Sequence, residues 1–221
     1  MPERGTKFIN KGIYHIFNKT IDKKKVFTID KYAERFLELL RYYRSRKSII
    51  SYSRFKKNPS VLAFHTQDSL NDKRYFRIEI LGFCLMSNHF HLLLKQNSDN
   101  GVQDFVRLVL NGFTRYVNLN EKRRGPFLLP RFESRSILTD EVLMHISRYI
   151  HLNPFSAGIV KNIDQLKNYR WSSYSSYLQE KKDDLIERDI VLKLFNVNPR
   201  KYQEFVENHA DYQKSLEYIK L

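Results

Sequence analysis

Two histidines stand two residues apart in Leu85-Met86-Ser87-Asn88-His89-Phe90-His91-Leu92-Leu93-Leu94-Lys95. The stretch reads as a strand, and a strand sends alternate side chains to opposite faces, so His89 and His91 share one face while Phe90, Leu92 and Leu94 take the other. At about 3.3 Å of rise per residue their Cβ atoms lie roughly 6.5 to 7 Å apart, near enough for both imidazoles to lean on one divalent ion. A pair of rings does not complete such a site, and a single strand histidine is more often a hydrogen-bonded ring than a ligand. A third ligand has to come from elsewhere in the chain.

A second group with usable chemistry lies in the helical stretch from Glu141 to about Asn153, where Val142, Leu143, Ile146 and Ile150 form an apolar stripe. At about 100° per residue, Tyr149 falls roughly 75° off the centre of that stripe and Asn153 roughly 35° off, inside it. A polar amide in a core-facing stripe is anomalous, and the four-residue spacing stacks the hydroxyl and the amide on one side of the helix. Pro154 is expected to end the helix. From the helix alone, the plainer assignment is a packing tyrosine and an Asn153 C-terminal cap.

The elements that must position these groups follow from the chain in order. Lys11 to Ile21 reads as a strand with His15 on the face of Ile13 and Phe17; His15 could approach the histidine pair, but nothing in its spacing ties it to them. Asp30 to Arg46 is helical, with Tyr32, Phe36, Leu39, Leu40 and Tyr43 as its core stripe. Ser48 to Arg74 is a basic, irregular excursion. Tyr75 to Met86 is a strand whose alternation groups Phe76, Ile78, Ile80 and Cys84, and Ser87-Asn88 turns it into the His-Phe-His strand as a hairpin. A helix from about Asp99 to Lys122 follows, capped by Asn97 or Ser98, with Arg107 and Arg115 on its outer face. Gly125 to Arg135 is extended and rich in arginine, and Thr139-Asp140 signals the start of the next helix. Asn168 to Leu178 holds Trp171, Tyr174 and Tyr177, which either stack on unpaired bases or close the core; Trp171 is the better core candidate. Asp189 to Phe195 and Pro199 to His209 read as short amphipathic helices.

This order predicts an α+β fold, a ferredoxin-like (RNA-recognition-like) antiparallel sheet with helices packed on one face. Residues 1–180 form the main domain and 183–221 a small helical C-terminal extension. The 221 residues carry 39 Lys and Arg against 24 Asp and Glu, a net charge of +15, which favours a polyanion and nucleic acid first. No apolar run spans a bilayer and no signal peptide opens the chain, so a cytoplasmic location and no membrane partner are expected. The lone Cys84 excludes an intramolecular disulfide and a cysteine zinc cluster.

The histidine stretch, together with Ser147-Arg148-Tyr149-Ile150-His151-Leu152-Asn153-Pro154 and Tyr169-Arg170-Trp171-Ser172-Ser173-Tyr174, resembles the single-tyrosine HUH transposases, particularly the REP-associated tyrosine transposases. The motifs occur in the expected order over roughly residues 8 to 180, with Gly125-Pro126-Phe127 and Arg131-Phe132 between them. The resemblance implies a nuclease that cuts and rejoins single-stranded DNA near hairpins with a divalent metal and no nucleotide cofactor. His89 and His91 match the metal ligands, Tyr149 the nucleophile, and Asn153 the polar residue one turn later that completes the metal site. Leu128-Leu129-Pro130 departs from the family's short polar run before the arginine.

The residue types suit that chemistry. A phosphodiester is anionic, so attack on it needs charge neutralised, for which a divalent ion on the histidines would serve as Lewis acid. A phenol with a pKa near 10 forms its anion more readily than an alcohol and leaves again more readily, so a phosphotyrosine link is reversible. Two imidazoles, an amide oxygen and waters suit Mg²⁺ or Mn²⁺. The expected partner is single-stranded and hairpin DNA, bound by a monomer or a homodimer. Two alternatives stay open: a non-catalytic nucleic-acid-binding module, which leaves the histidines and Asn153 without a role, and a domesticated or replication-initiator-like HUH nuclease with the same chemistry.

Overall fold

Four strands, β1 Ile13–Lys19, β2 Ile78–Leu85, β3 His89–Gln96 and β4 Glu133–Ile137, pair antiparallel in the order β2-β3-β1-β4. The structure, a computed structural model, describes residues 6–58, 70–179 and 183–213. Among the described residues its helices include α1 Asp30–Tyr43, α2 Tyr52–Lys57, α3 Gly101–Asn120, α4 Asp140–Ser156, α5 Tyr174–Leu178, α6 Asp189–Leu192 and α7 Pro199–Glu207. The path β1-α1-β2-β3-α3-β4 with this strand order is the expected ferredoxin-like α+β arrangement. Residues 59–69, within the basic excursion, and the chain ends lie outside the described residues; the described part of the excursion contains α2.

Strand alternation decides what each face carries. Phe90 points to the side of α1 and α3, where its ring lies 4.8 Å from that of Phe36 and where Phe27 stacks on Phe113 at 5.4 Å. That aromatic layer is the main core, and α1 and α3 supply the helix-packed face the sequence implies. The neighbouring His91 points the other way, toward α4, whose own apolar residues Leu143 and Ile150 are buried. The second face of the sheet is therefore covered as well, by the helix that carries Tyr149. No helix among the described residues is long and apolar enough to cross a membrane.

Several local expectations are corrected. Regular alternation placed Ile80 and Cys84 on one face, but the register shifts between Ile80 and Gly82, so Ile80 pairs with Leu94 while Gly82 pairs with Leu93 and Cys84 with His91. A bulge of this kind flips every later side chain, and Cys84 joins the α4 side. The strand starts at Ile78 rather than Tyr75, after a 3₁₀ turn at Lys73–Tyr75. The extended arginine-rich segment ends in β4, whose sequence Glu-Ser-Arg-Ser-Ile lacks apolar alternation because an exposed edge strand needs little.

Helix ends also differ. α3 begins at Gly101 with Asn100 as its N-cap at φ 55°, a left-handed conformation that asparagine tolerates; the cap side chain makes no cap bond, and the Gln96 side chain accepts from Val102 N–H at 3.1 Å instead. The Thr139 hydroxyl caps α4 as expected, accepting from Val142 N–H at 3.2 Å. α4 does not stop at Asn153, however, but runs through Pro154 to Ser156. Proline in a helix costs about 3 kcal/mol, and here the residues from Ile150 to Ser156 are all buried, which offsets that cost. Val142, placed in the buried stripe, is exposed.

Beyond α4, Tyr174 and Tyr177 are fully buried, so they close the core rather than stack on bases. Trp171 is buried too, with the Arg170 guanidinium 4.3 Å from its ring centre. The helices after residue 183 pack onto this layer: Arg188 donates to the carbonyls of Ser176 and Gln179, and Tyr202 of α7 stacks on Tyr177 at 4.7 Å.

Candidate active site and nucleic-acid interface

His89 opens β3 and His91 follows on the same face, opposite Lys19 and Phe17 of β1 respectively. Their ring centres are 5.1 Å apart and nearly perpendicular. The Nδ1–H of His89 donates to Asn88 Oδ1 at 2.8 Å, which leaves the lone pair of the neutral ring on Nε2. His91 is buried; its Nδ1 lies 2.9 Å from Nε2 of His15, the two rings stacked at 5.1 Å, and its own Nε2 is buried without a hydrogen-bond partner.

Tyr149, on α4, stands edge-on to His91 at 5.6 Å and to His15 at 6.0 Å between ring centres, and it is half-buried. Asn153 is buried one turn later. Its Nδ2 donates to the Tyr149 carbonyl at 2.9 Å, so its amide caps inside the helix rather than at the C-terminus, and Oδ1 is the atom it has to offer a ligand. The fold thus brings His89, His91 and Tyr149 into one cluster, with Asn153 joined to it through the Tyr149 backbone. Among the described residues no three His, Cys, Asp or Glu side chains are grouped to hold a metal, so any ion here would depend on Asn153 and on oxygens from outside the chain.

Burial controls the charge of these rings. It pulls the His15 pKa down to about 4, with the Arg135 charge acting in the same direction. It holds His91 well below the usual histidine range, helped by the charges His15 and His89 would carry. Both are neutral at pH 7, the form in which imidazole ligates.

Two further histidines pack in this region. His15 was an ordinary strand residue by spacing; the signal was its face, which strand pairing turns toward His91. His151 is fully buried on α4, its pKa pulled down to about 3 by burial, with Nδ1 2.7 Å from the Tyr202 hydroxyl and Nε2 2.8 Å from Ser173 Oγ. It ties α4 to α7 and to the edge of β2, where Ser173 Oγ accepts from Phe83 N–H at 2.8 Å.

On the other side of the sheet, the outer face of α3 and the segment after it enclose a groove of about 910 Å³ lined by Arg107, Arg115, Arg123 and Arg124, with Leu128 and Leu129 among its apolar residues. Leu129 N–H donates to Lys19 O at 3.0 Å and Ile21 N–H to Phe127 O at 3.0 Å, which pins this segment beside the end of β1 and buries Leu128. That packing is the physical reason for apolar residues where the resemblance led one to expect polar ones. Arg123 is held by Asn118 Oδ1 and the Pro126 carbonyl, with its guanidinium 4.9 Å from the Phe127 ring centre.

No family's sequence pattern and no curated protein matches the chain. Among solved structures, a REP-associated tyrosine transposase bound to a REP hairpin is similar over 84% of this chain and 90% of that one, with a TM-score of 0.55 and 14% identity. The two chains share a fold. A Deinococcus radiodurans protein provisionally described as a transposase aligns over 67% of this chain and 95% of that one at 17% identity, with a TM-score of 0.36. The match to the hairpin-bound transposase spans most of both chains, and it is one of α+β architecture.

Proposed function

We propose that this protein is a DNA transposase that cleaves and rejoins single-stranded DNA beside hairpins, with Tyr149 as nucleophile and a divalent ion, Mg²⁺ or Mn²⁺, held by His89, His91 and Asn153. The observation that carries the reading is the edge-on placement of Tyr149 against His91, with His89 in the same cluster. The shared fold with a hairpin-bound tyrosine transposase supports it.

The donor set fits the ion. The buried His91 Nε2 lacks a hydrogen-bond partner, the His89 ring with its proton on Nδ1 would ligate through Nε2, and Asn153, whose Nδ2 donates to the Tyr149 carbonyl, would ligate through Oδ1. Two nitrogens and one oxygen leave room for waters and a phosphate oxygen, as a hard, partly hydrated ion requires. When bound, such an ion supplies Lewis acidity to a non-bridging phosphate oxygen.

The chain's own residues do the rest. Attack by the Tyr149 hydroxyl oxygen on phosphorus forms an O–P bond to the 5′ side and breaks the P–O3′ bond; the phenol gives up its proton and the departing oxygen gains one as a 3′ hydroxyl. A second 3′ hydroxyl attacking the phosphotyrosine reverses the exchange, joins new ends and frees Tyr149. The net charge of +15 and the arginine-lined groove behind the sheet favour binding of the DNA itself. A cytoplasmic setting is consistent with such a substrate.

That groove would equally serve a non-catalytic nucleic-acid-binding module. One experiment separates the two. Wild type incubated with labelled hairpin-bearing single-stranded DNA and Mn²⁺ is expected to form a covalent adduct that survives denaturing electrophoresis, and Tyr149→Phe to form none while still folding and binding DNA. A variant adduct of normal yield would move the nucleophile elsewhere; no adduct from wild type on any hairpin would favour the binding module.

A further inference from the structure

His15 has a place in the site that neither its spacing nor the resemblance assigns. β1 pairs with β3 so that Phe17 lies opposite His91 and His15 opposite Leu93, which makes His15 the diagonal neighbour of His91 on the same face. The two rings stack, with His15 Nε2 2.9 Å from His91 Nδ1, and both side chains are buried. One proton lies in that contact, and the far nitrogens, His15 Nδ1 and His91 Nε2, are both buried without a partner.

Two tautomeric arrangements satisfy the contact. If His15 donates, His91 carries its second proton position on Nε2 as a buried N–H with nothing to accept it, and the lone pair of His15 faces nothing either. If His91 donates from Nδ1, its Nε2 becomes a bare lone pair on the face shared with His89, and His15 carries its proton on the unmatched Nδ1; a cation at His91 Nε2 then leaves one orphaned atom where the first arrangement leaves two. Buried polar atoms are rarely left unmatched, so the second arrangement is the one that gives the pair a purpose.

We propose that His15 is a positioning residue for His91: its Nε2 accepts the Nδ1–H of His91, fixing the tautomer and ring orientation in which His91 Nε2 is a ligand. The role rests on the reading of His91 as a metal ligand, and its first test asks whether the tautomer is set before metal binds. In the metal-free protein, long-range proton–nitrogen NMR on the histidine rings is expected to show His91 as the Nδ1–H tautomer. His15→Phe, which keeps ring bulk and removes the acceptor, is expected to shift His91 toward a mixture, and His15→Gln, whose Oε1 can accept the same hydrogen bond, to restore it.

The second test titrates Mn²⁺ alone into each protein by calorimetry. Loss of such an outer partner weakens metal binding by about 10- to 100-fold, expected for His15→Phe and not for His15→Gln. Thermal melts check that both variants fold. An Nε2–H tautomer of His91 in wild type, or Mn²⁺ affinity in His15→Phe equal to wild type, would overturn the proposal. Wild type that binds no Mn²⁺ but shows the Nδ1–H tautomer would overturn the metal site and with it the ligand half of the role, leaving the hydrogen bond established.

Discussion

The imidazole of His151 and the phenol of Tyr202 share a 2.7 Å hydrogen bond that fastens α7 to the helix carrying Tyr149 and Asn153. Both side chains are buried and 51 residues apart in sequence. The contact makes the C-terminal helices part of the support for α4.

Tyr202→Phe removes that hydroxyl and leaves His151 Nδ1 buried without its partner, a loss of about 1–3 kcal/mol. For a chain of this size the melting temperature should fall by about 2 to 4 °C for each kcal/mol. An unchanged melting curve would show that the bond contributes nothing to stability.

Low pH should destabilise the protein through the same histidine. Burial lowers the folded-state pKa of His151 from 6.5 to about 3, so between these values the unfolded chain binds a proton that the folded one does not. Stability contributed by the neutral ring is thus present above pH 6.5 and is lost as pH falls below it, by about 1.4 kcal/mol per pH unit. His15, lowered to about 4, acts with the same sign. Denaturant unfolding from pH 7.5 to 4.5 is expected to give a shallower slope for His151→Leu than for wild type; parallel slopes would refute the assignment.

Replacing both His89 and His91 by alanine should abolish Mg²⁺- or Mn²⁺-dependent cleavage while DNA binding stays nearly intact, because affinity comes chiefly from phosphate contacts by lysine and arginine. Cleavage and filter-binding assays on one hairpin substrate measure both. Wild-type cleavage by the double variant would remove the histidines from the site.

Arg115 and Arg124 are exposed in the groove, whereas Arg123 is tied to Asn118 and Pro126, so the first two are the better probes of DNA contact. Each phosphate contact contributes about 0.7 to 0.9 to the slope of log affinity against log salt. Arg115→Gln with Arg124→Gln should therefore weaken DNA binding and reduce that slope by about 1.4 to 1.8. A slope equal to that of wild type would place the DNA on another surface.

Periodicity alone made the two core helices, the His-Phe-His hairpin and the shared face of His89 and His91 legible, because alternation and helical spacing are local properties of the chain. It also marked Asn153 as a polar residue in an apolar stripe. β4 was legible only as extended, since an edge strand exposed to solvent carries no apolar signature. The bulge before Gly82 and the run of α4 through Pro154 were hidden as well: each breaks a local rule whose cost is met by packing from elsewhere, at Gly82 by Ser173 and His151, whose side-chain atoms lie 3.4 and 3.6 Å from where a Cβ would stand. The contact between His15 and His91 spans 76 residues, and that between His151 and Tyr202 spans 51. Which distant groups meet is set by strand order and by the face each helix covers, and a linear pattern of residues carries neither.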